Sequence, residues 1–399
     1  MNGDGVPAHA PGTLGPDPGG GGRQHRARAT GTLMTSRARL GFLGVGWIGQ
    51  RRMRSILERG GVEAVAVADA SPAAAAAAAS AVDGCAALPS LDALLERDLD
   101  GIVIATPSAL HADQAVRALE HGLAVFCQKP LGRTAAEVRR VVDAARAADR
   151  LLGVDLSYRH VAGMAEVRRL VQEGALGQVF AANLVFHNAY GPDKPWFYDA
   201  RLSGGGCLID LGIHLLDLAL WTLGFPEIRD VTAALRTAGA QSGARGVGVE
   251  DFAAAQLELA SGTAVQLACS WRLAAGQDCQ IEAAFYGTGG GVALRNVRGS
   301  FFDFLVERFH GTRRELLAGP PDAWEGKAAI AWAEALARGA RYDPAIETIS
   351  RVQDGLDRIY QAGAGRAGAE QAGAGRSGTG SAFAVEPGAA PREAQAVAQ

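Results

Sequence analysis

Cysteine is scarce in this chain. Its 399 residues hold five, Cys85, Cys127, Cys207, Cys269 and Cys279, and none stands in C-x-x-C spacing. An odd, unpatterned set argues against a disulfide framework and for a reducing compartment, so the cytoplasm is the expected location. No cluster of cysteine and histidine offers a metal site, and no bound metal is expected. No apolar run approaches the ~18 residues of a membrane span, and no apolar core follows Arg23, Arg26 and Arg28 as a secretory signal requires. A basic excess is missing too. The formal net charge is -3, without the footprint of a nucleic-acid or membrane-surface binder. What is left is ordinary for a globular protein, 48% hydrophobic and 20% charged, and long enough for two domains.

Residues 1–36 are Gly/Pro-rich and lack periodicity, so disorder is expected there, and Met34 is an alternative start just before the first strand. Arg37 to Leu43 reads as a strand. It runs into Gly44-Val-Gly46-Trp47-Ile48-Gly49 and a helix to about Arg59. A lone G-x-G-x-x-G is weak, but here a second apolar strand, Val62–Ala68, follows and ends in Asp69, 20 residues after Gly49. In a dinucleotide site Gly44 makes the tight turn, Gly46 admits a pyrophosphate against backbone, and Gly49 lets helix pack on strand. The helix N-terminus faces the phosphate charge, and Asp69 accepts from the adenosine ribose hydroxyls. Strands and helices then alternate: Gly101–Ala105 ends at Thr106-Pro107-Ser108, and Leu123–Cys127 ends at Gln128-Lys129-Pro130. Asp69, Thr106 and Lys129 all fall at carboxyl ends of strands, where ligands bind in open α/β sheets.

After about Ala162 the texture changes. A long strand, Gln178 to Tyr190, is followed by a Pro/aromatic loop, an apolar helix, and alternating segments at Arg229–Leu235, Asp251–Leu259, Thr263–Trp271 and Gln280–Tyr286. The expected class is α/β. A doubly wound Rossmann domain covers 37–157, and an α+β domain with a large, mostly antiparallel open sheet covers 158–343. That second domain includes a helix over 323–338. The helix at 344–361 is expected to pack back on the first domain, and the Gly/Ala/Arg tail over 364–399 to be disordered.

Three glycines, Gly204 to Gly206, open the apolar helix of the second half, and Asp210 and His214 interrupt it four residues apart, with Asp217 three further on. That spacing sets the first two on one helical face. The pair can serve proton transfer, share a metal with a third ligand from elsewhere, or be a buried histidine satisfied by its neighbour.

Taken together, residues 38 to 361 resemble the Gfo/Idh/MocA family of NAD(P)-dependent sugar and cyclitol oxidoreductases. The marks are the glycine turn, Ala105-Thr-Pro-Ser-Ala-Leu-His111, Gln128-Lys129-Pro130, and Gly204-Gly-Gly-Cys-Leu-Ile-Asp210-Leu-Gly-Ile-His214-Leu-Leu-Asp217. The resemblance implies NAD, with NADP possible, bound by Gly44, Gly46, Trp47, Ile48, Gly49, Asp69, Thr106, Pro107, His111, Gln128 and Lys129. It implies catalysis by Lys129, Asp210 and His214. His214 acts as general acid/base and Lys129 polarises the reacting oxygen of a secondary alcohol or ketone. Gln128 stands where the family carries Glu and is expected to hydrogen-bond nearby, toward the nicotinamide ribose, with one charge fewer. Tyr158, Arg159, His187, Trp196, Tyr198 and Arg201 are candidate contacts for a small polyol or sugar, and a homodimer or homotetramer is expected. Two other readings share the fold: redox-neutral glycoside cleavage with retained NAD, and a non-catalytic NAD-binding regulator.

Overall fold

The computed structural model describes residues 37–237, 240–241 and 248–374. The extension expected to be disordered over 1–36, with Met34, and the tail from 375 lie outside the described residues.

Six strands, β1 (Ala38–Leu43), β2 (Val62–Ala68), β3 (Ala86–Leu88), β4 (Gly101–Ile104), β5 (Ala124–Cys127) and β6 (Leu152–Val154), form a parallel sheet. Their order is β3-β2-β1-β4-β5-β6, so the winding reverses between β1 and β4. The central strands are continuous apolar runs because both faces are covered; Ile102, Ile104 and Val125 are fully buried. The covering helices are α1 (Trp47–Arg59), α2 (Pro72–Ser80), α3 (Leu91–Leu95), α4 (Ser108–Glu120) and α5 (Ala135–Ala148). Several begin at side-chain caps. Ser71 accepts from Ala74 N with Pro72 as first helical residue, and Thr134 accepts from Glu137 N at 3.2 Å while the Glu137 carboxylate takes Arg133 N at 2.7 Å.

The second half opens with α6 (Met164–Gln172) and β7 (Val179–Asn188). Next come α7 (Ala200–Ser203), a π-helical turn (Leu208–Gly212) and α8 (Ile213–Thr222). Eight more strands complete a second sheet: β8 (Ile228–Thr237), β9 (Ala240–Gln241), β10 (Phe252–Leu259), β11 (Ala264–Ser270), β12 (Cys279–Gly287), β13 (Gly290–Asn296), β14 (Phe304–His310) and β15 (Arg313–Ala318). The order is β15-β14-β13-β12-β7-β11-β10-β8-β9. Only β7 and β11 pair in parallel among these, so the sheet is mostly antiparallel as its alternating segments require. One sheet face packs on α8. The stretch Ala200–Thr222 has mean hydropathy 1.3, enough by length and composition for a membrane span, yet 89% of its apolar window is buried in protein. It is a core helix.

Two helices depart from expectation. The helix expected over 323–338 within the second domain is α9 (Lys327–Ala337), and it lies on the first sheet. There Trp332 packs against Phe126, with ring centroids 5.7 Å apart. A Cβ on Gly153 would stand 2.8 Å from the Trp332 ring, so that glycine makes the slot the indole fills. The last helix, α10 (Thr348–Ala374), touches α5 of the first domain but rests largely on β8 and α8 of the second. It also continues into the tail expected to be disordered from residue 364.

Candidate active site

The turn after β1 opens a crevice of about 440 Å³ at the carboxyl ends of the first sheet's strands. Each fingerprint glycine is required differently. Gly44 has φ +83°, and a Cβ there would sit 2.6 Å from the Ala105 backbone; one on Gly49 would sit 2.0 Å from Gly44 O. A Cβ on Gly46 would meet nothing within 4 Å, so no protein group demands glycine there. Gly46 is also the N-cap of α1 and provides no side-chain cap, which leaves the first turn's N–H groups for an anion. These features fit a dinucleotide pyrophosphate.

Asp69 lines the same crevice. Its carboxylate accepts from Val45 N and Ser71 N, each at 2.8 Å, and so braces the glycine turn. Each oxygen keeps a lone pair for a ribose hydroxyl. Ile48, Thr106, Pro107, Gln128 and Lys129 line the crevice as well. His111 borders it, with Nδ1 2.7 Å from Pro130 O and Nε2 2.6 Å from Thr106 O. Burial lowers its pKa. The neutral ring donates to one of these two carbonyls and packs between the loop after β4 and the loop after β5. Trp47 points into a second cavity, with Arg51 4.7 Å above its ring. Gln128 Nε2 donates to Asp155 Oδ2 at 2.5 Å, so its amide nitrogen is held by the protein.

At the inner end of the crevice Lys129 Nζ donates to Asp210 Oδ1 at 2.7 Å and to Asp210 O at 2.9 Å. Asp210 Oδ2 accepts from Trp271 Nε1 at 3.0 Å. The carboxylate is therefore engaged by lysine and tryptophan, and Asp210 makes no hydrogen bond to His214. Both carboxylate oxygens are already taken, one by Lys129 and one by Trp271. Burial raises the Asp210 pKa, and Lys129 and Trp271 pull it back toward the ionised form.

His214 occupies a separate cavity of about 30 Å³, bordered on one side by Lys129 and Gln128, which line the main crevice too. Tyr158 packs on its ring, centroids 4.9 Å apart, and Phe186 lies beyond. Its Nδ1 has no partner among the described residues. Burial holds the His214 pKa well below 6.5, and the Lys129 and Arg52 charges act in the same direction. The ring is neutral at neutral pH and suited to accept a proton.

The candidate substrate contacts divide. Tyr158 is at this site, and Trp196 lines the crevice, stacked on Phe197 at 3.8 Å. Tyr198 packs edge-on against Trp271 and donates to Pro192 O at 2.8 Å. Three others are elsewhere. Arg159 pairs with buried Asp217, Nε to Oδ2 2.8 Å, between Trp221 and Phe225. His187 alternates with Phe186 on β7 and so faces the far side of the sheet, bonded to Ser270 Oγ at 2.8 Å. Arg201 is an exposed partner of Asp199.

The three glycines before Asp210 also answer to the protein. A Cβ on Gly205 would lie 2.0 Å from Tyr360 Oη, and one on Gly206 1.9 Å from Glu250 O. Their smallness admits Arg133, Tyr360 and Glu250. The buried Glu250 carboxylate accepts from Gly206 N and Leu208 N, both at 3.0 Å, and from Tyr360 Oη at 2.8 Å. Glu250, Trp271, Asp155 and Asn188 were not singled out from sequence as site residues. Asn188 carried the clearest signal, a polar residue in an inward position of a strand. It is 1% exposed, and neither carboxamide atom has a partner among the described residues.

Comparison with known proteins agrees with this geometry. Residues 38–156 match the family described as "Oxidoreductase family, NAD-binding Rossmann fold", and residues 164–293 match the "GFO/IDH/MocA C-terminal domain". The chain is 33% identical to inositol 2-dehydrogenase of Rhizobium meliloti (strain 1021) over 65% of this chain and 76% of that one. It is 30% identical to D-glucoside 3-dehydrogenase of Escherichia coli (strain K12), over 49% of this chain and 58% of that one. Its fold matches GenD2 from gentamicin A biosynthesis, solved with NAD, at TM-score 0.70 and 25% identity, covering 84% of this chain and 97% of that one. With the glycine turn, the two-sheet architecture and both halves matched, the chain belongs to the Gfo/Idh/MocA family of NAD(P)-dependent oxidoreductases.

Proposed function

We propose that this protein oxidises one secondary alcohol of a sugar, cyclitol or sugar nucleotide, or reduces the matching ketone. The observation that carries this reading is the buried Lys129, held by Asp210 where the cofactor crevice meets the cavity of His214. When bound, the nicotinamide supplies a hydride acceptor or donor at C4. Lys129 Nζ donates to the reacting oxygen and stabilises alkoxide character there. Asp210 holds the ammonium in place. His214 takes the hydroxyl proton in the oxidative direction and returns it in the reductive one. Trp196 is the proposed substrate contact, through its ring face. Asp69 beside the ribose end favours NAD over NADP, because a 2'-phosphate would be repelled.

The test is a panel of cyclitols, aldoses and nucleotide sugars, each with NAD and NADP, read by absorbance of the reduced nicotinamide. Reduction of NAD by at least one polyol is expected. Absence of turnover with every polyol and ketone would favour a non-catalytic NAD-binding regulator. We also propose a homodimer or homotetramer formed through the sheet face that carries His187 and Phe252; a monomeric mass in solution would overturn this.

A further inference from the structure

Beside the cavity of His214 lies a buried ion pair for which the proposed reaction has no use. Arg52 is 5% and Asp155 2% exposed. Arg52 stands on α1, three residues past Gly49, and its Nε donates to Asp155 Oδ2 while Nη2 reaches Ser157 Oγ at 3.4 Å. The same Asp155 oxygen accepts Gln128 Nε2 at 2.5 Å, and the other accepts the Ser157 hydroxyl. Asp155 N donates to Cys127 O at 3.0 Å. An unbroken series thus runs from the glycine-turn helix through Asp155 and Gln128 to the adjacent Lys129. Burying an ion pair in place of apolar residues of like volume adds little stability, so packing alone does not account for it.

We propose that Arg52 and Asp155 are positioning residues for proton transfer: Asp155 anchors Gln128 and thereby the Lys129 backbone, and Arg52 sets the charge felt by His214. The proposal rests on the hydride-transfer reading of this site. The charged and titratable groups lining the cavity with His214 are Arg52, Lys129, Asp155, Tyr158 and Glu325. The Asp155 carboxylate is engaged by Arg52, Gln128 and Ser157. The guanidinium still disfavours protonation of His214, alongside burial and Lys129. Neither Arg52 Nη1 nor His214 Nδ1 has a partner among the described residues, so no direct bond offsets that repulsion.

Full-length protein labelled with ¹⁵N-histidine gives the decisive measurement. The His214 ring signals are assigned by their loss in His214→Ala and followed against pH by NMR. In Arg52→Gln, which removes the cation and leaves Asp155 in place, the His214 titration is expected to move to higher pH, with the fold checked by circular dichroism. Arg52→Met is the second variant should Arg52→Gln not fold, and it shifts the same way. Arg52→Lys, which keeps the charge, titrates like the unaltered protein. With any polyol the panel identifies, Asp155→Asn is expected to lower kcat about tenfold while KM for NAD stays within about twofold. A His214 titration unchanged by loss of Arg52 in folded protein would reduce the pair to a structural element. If no polyol is oxidised, the hydride-transfer reading fails, but the NMR titration still decides what Arg52 does to His214.

Discussion

Lys129 needs three neighbours to be useful, and each solves a separate problem. Asp210 compensates its charge out of water, Trp271 fixes that carboxylate from the other side, and Gln128 anchors the chain next to it. Lys129→Ala removes the donor to the reacting oxygen, and His214→Ala removes the proton acceptor. Each is expected to lower kcat by about 10²–10³-fold or more, with NAD binding by titration calorimetry unchanged. Near-normal turnover by either variant contradicts the assignment. The pH dependence follows from His214. Oxidation requires the unprotonated ring, whose pKa is held well below 6.5. The acid limb of kcat/KM for oxidation therefore falls below pH 6.5: activity is full above it and lost as the pH drops through the depressed value. Ketone reduction has the opposite sign, rising as the ring gains its proton. An acid limb at or above pH 6.5 would assign the proton to another group. Lys129 was legible in sequence because it ends an apolar strand, but Trp271 was not. It lies 61 residues from Asp210, and nothing local marks an indole as a carboxylate's partner.

At the scale of elements, the glycine turn separates ligand demands from folding demands. The open space at Gly46 and the contacts at Gly49 predict opposite defects from the same change. Gly46→Ala should keep its melting temperature and weaken NAD binding by about tenfold or more, since the methyl enters the space left for the pyrophosphate. Gly49→Ala should lower the melting temperature, since its methyl would overlap Gly44 O. Equal stability losses in both variants would show that the turn is glycine-rich for folding alone. This turn was legible because strand, turn and helix are contiguous. Strands β13 to β15 were not anticipated, because Gly290 and Gly291 break the alternation at the start of β13, and β15 carries charges on an exposed edge. That Asp210 would bond Lys129 and Trp271 and not His214 was no more legible, because those two partners lie 81 and 61 residues from it in the chain.

The whole molecule is tied together by a segment that crosses between its halves. The chain leaves the first sheet after β6, builds the second, and returns as α9 to cover the face formed by Leu40, Phe42, Val103 and Phe126. Gly101 and Gly153 were the sequence signs of that return, two strand glycines that leave room for Trp332 and Leu336. Neither glycine identifies its partner locally, because the residues that fill the slots are some 180 to 235 positions away. A domain boundary near residue 157 is thus a boundary in sequence but not in packing. Residues 37–160 expressed alone would expose the α9-facing side of the sheet to water, including Phe126, which is 1% exposed in the whole protein. Losing an indole from such a contact costs about 3–5 kcal/mol, comparable with the whole stability of many domains. The fragment is therefore expected to lack a cooperative thermal transition and to bind NAD weakly. Adding residues 319–341 in trans is expected to restore both, because that segment carries the missing face. A fragment that melts cooperatively by itself and binds NAD as the full chain does would show that α9 only decorates a sheet already stable without it.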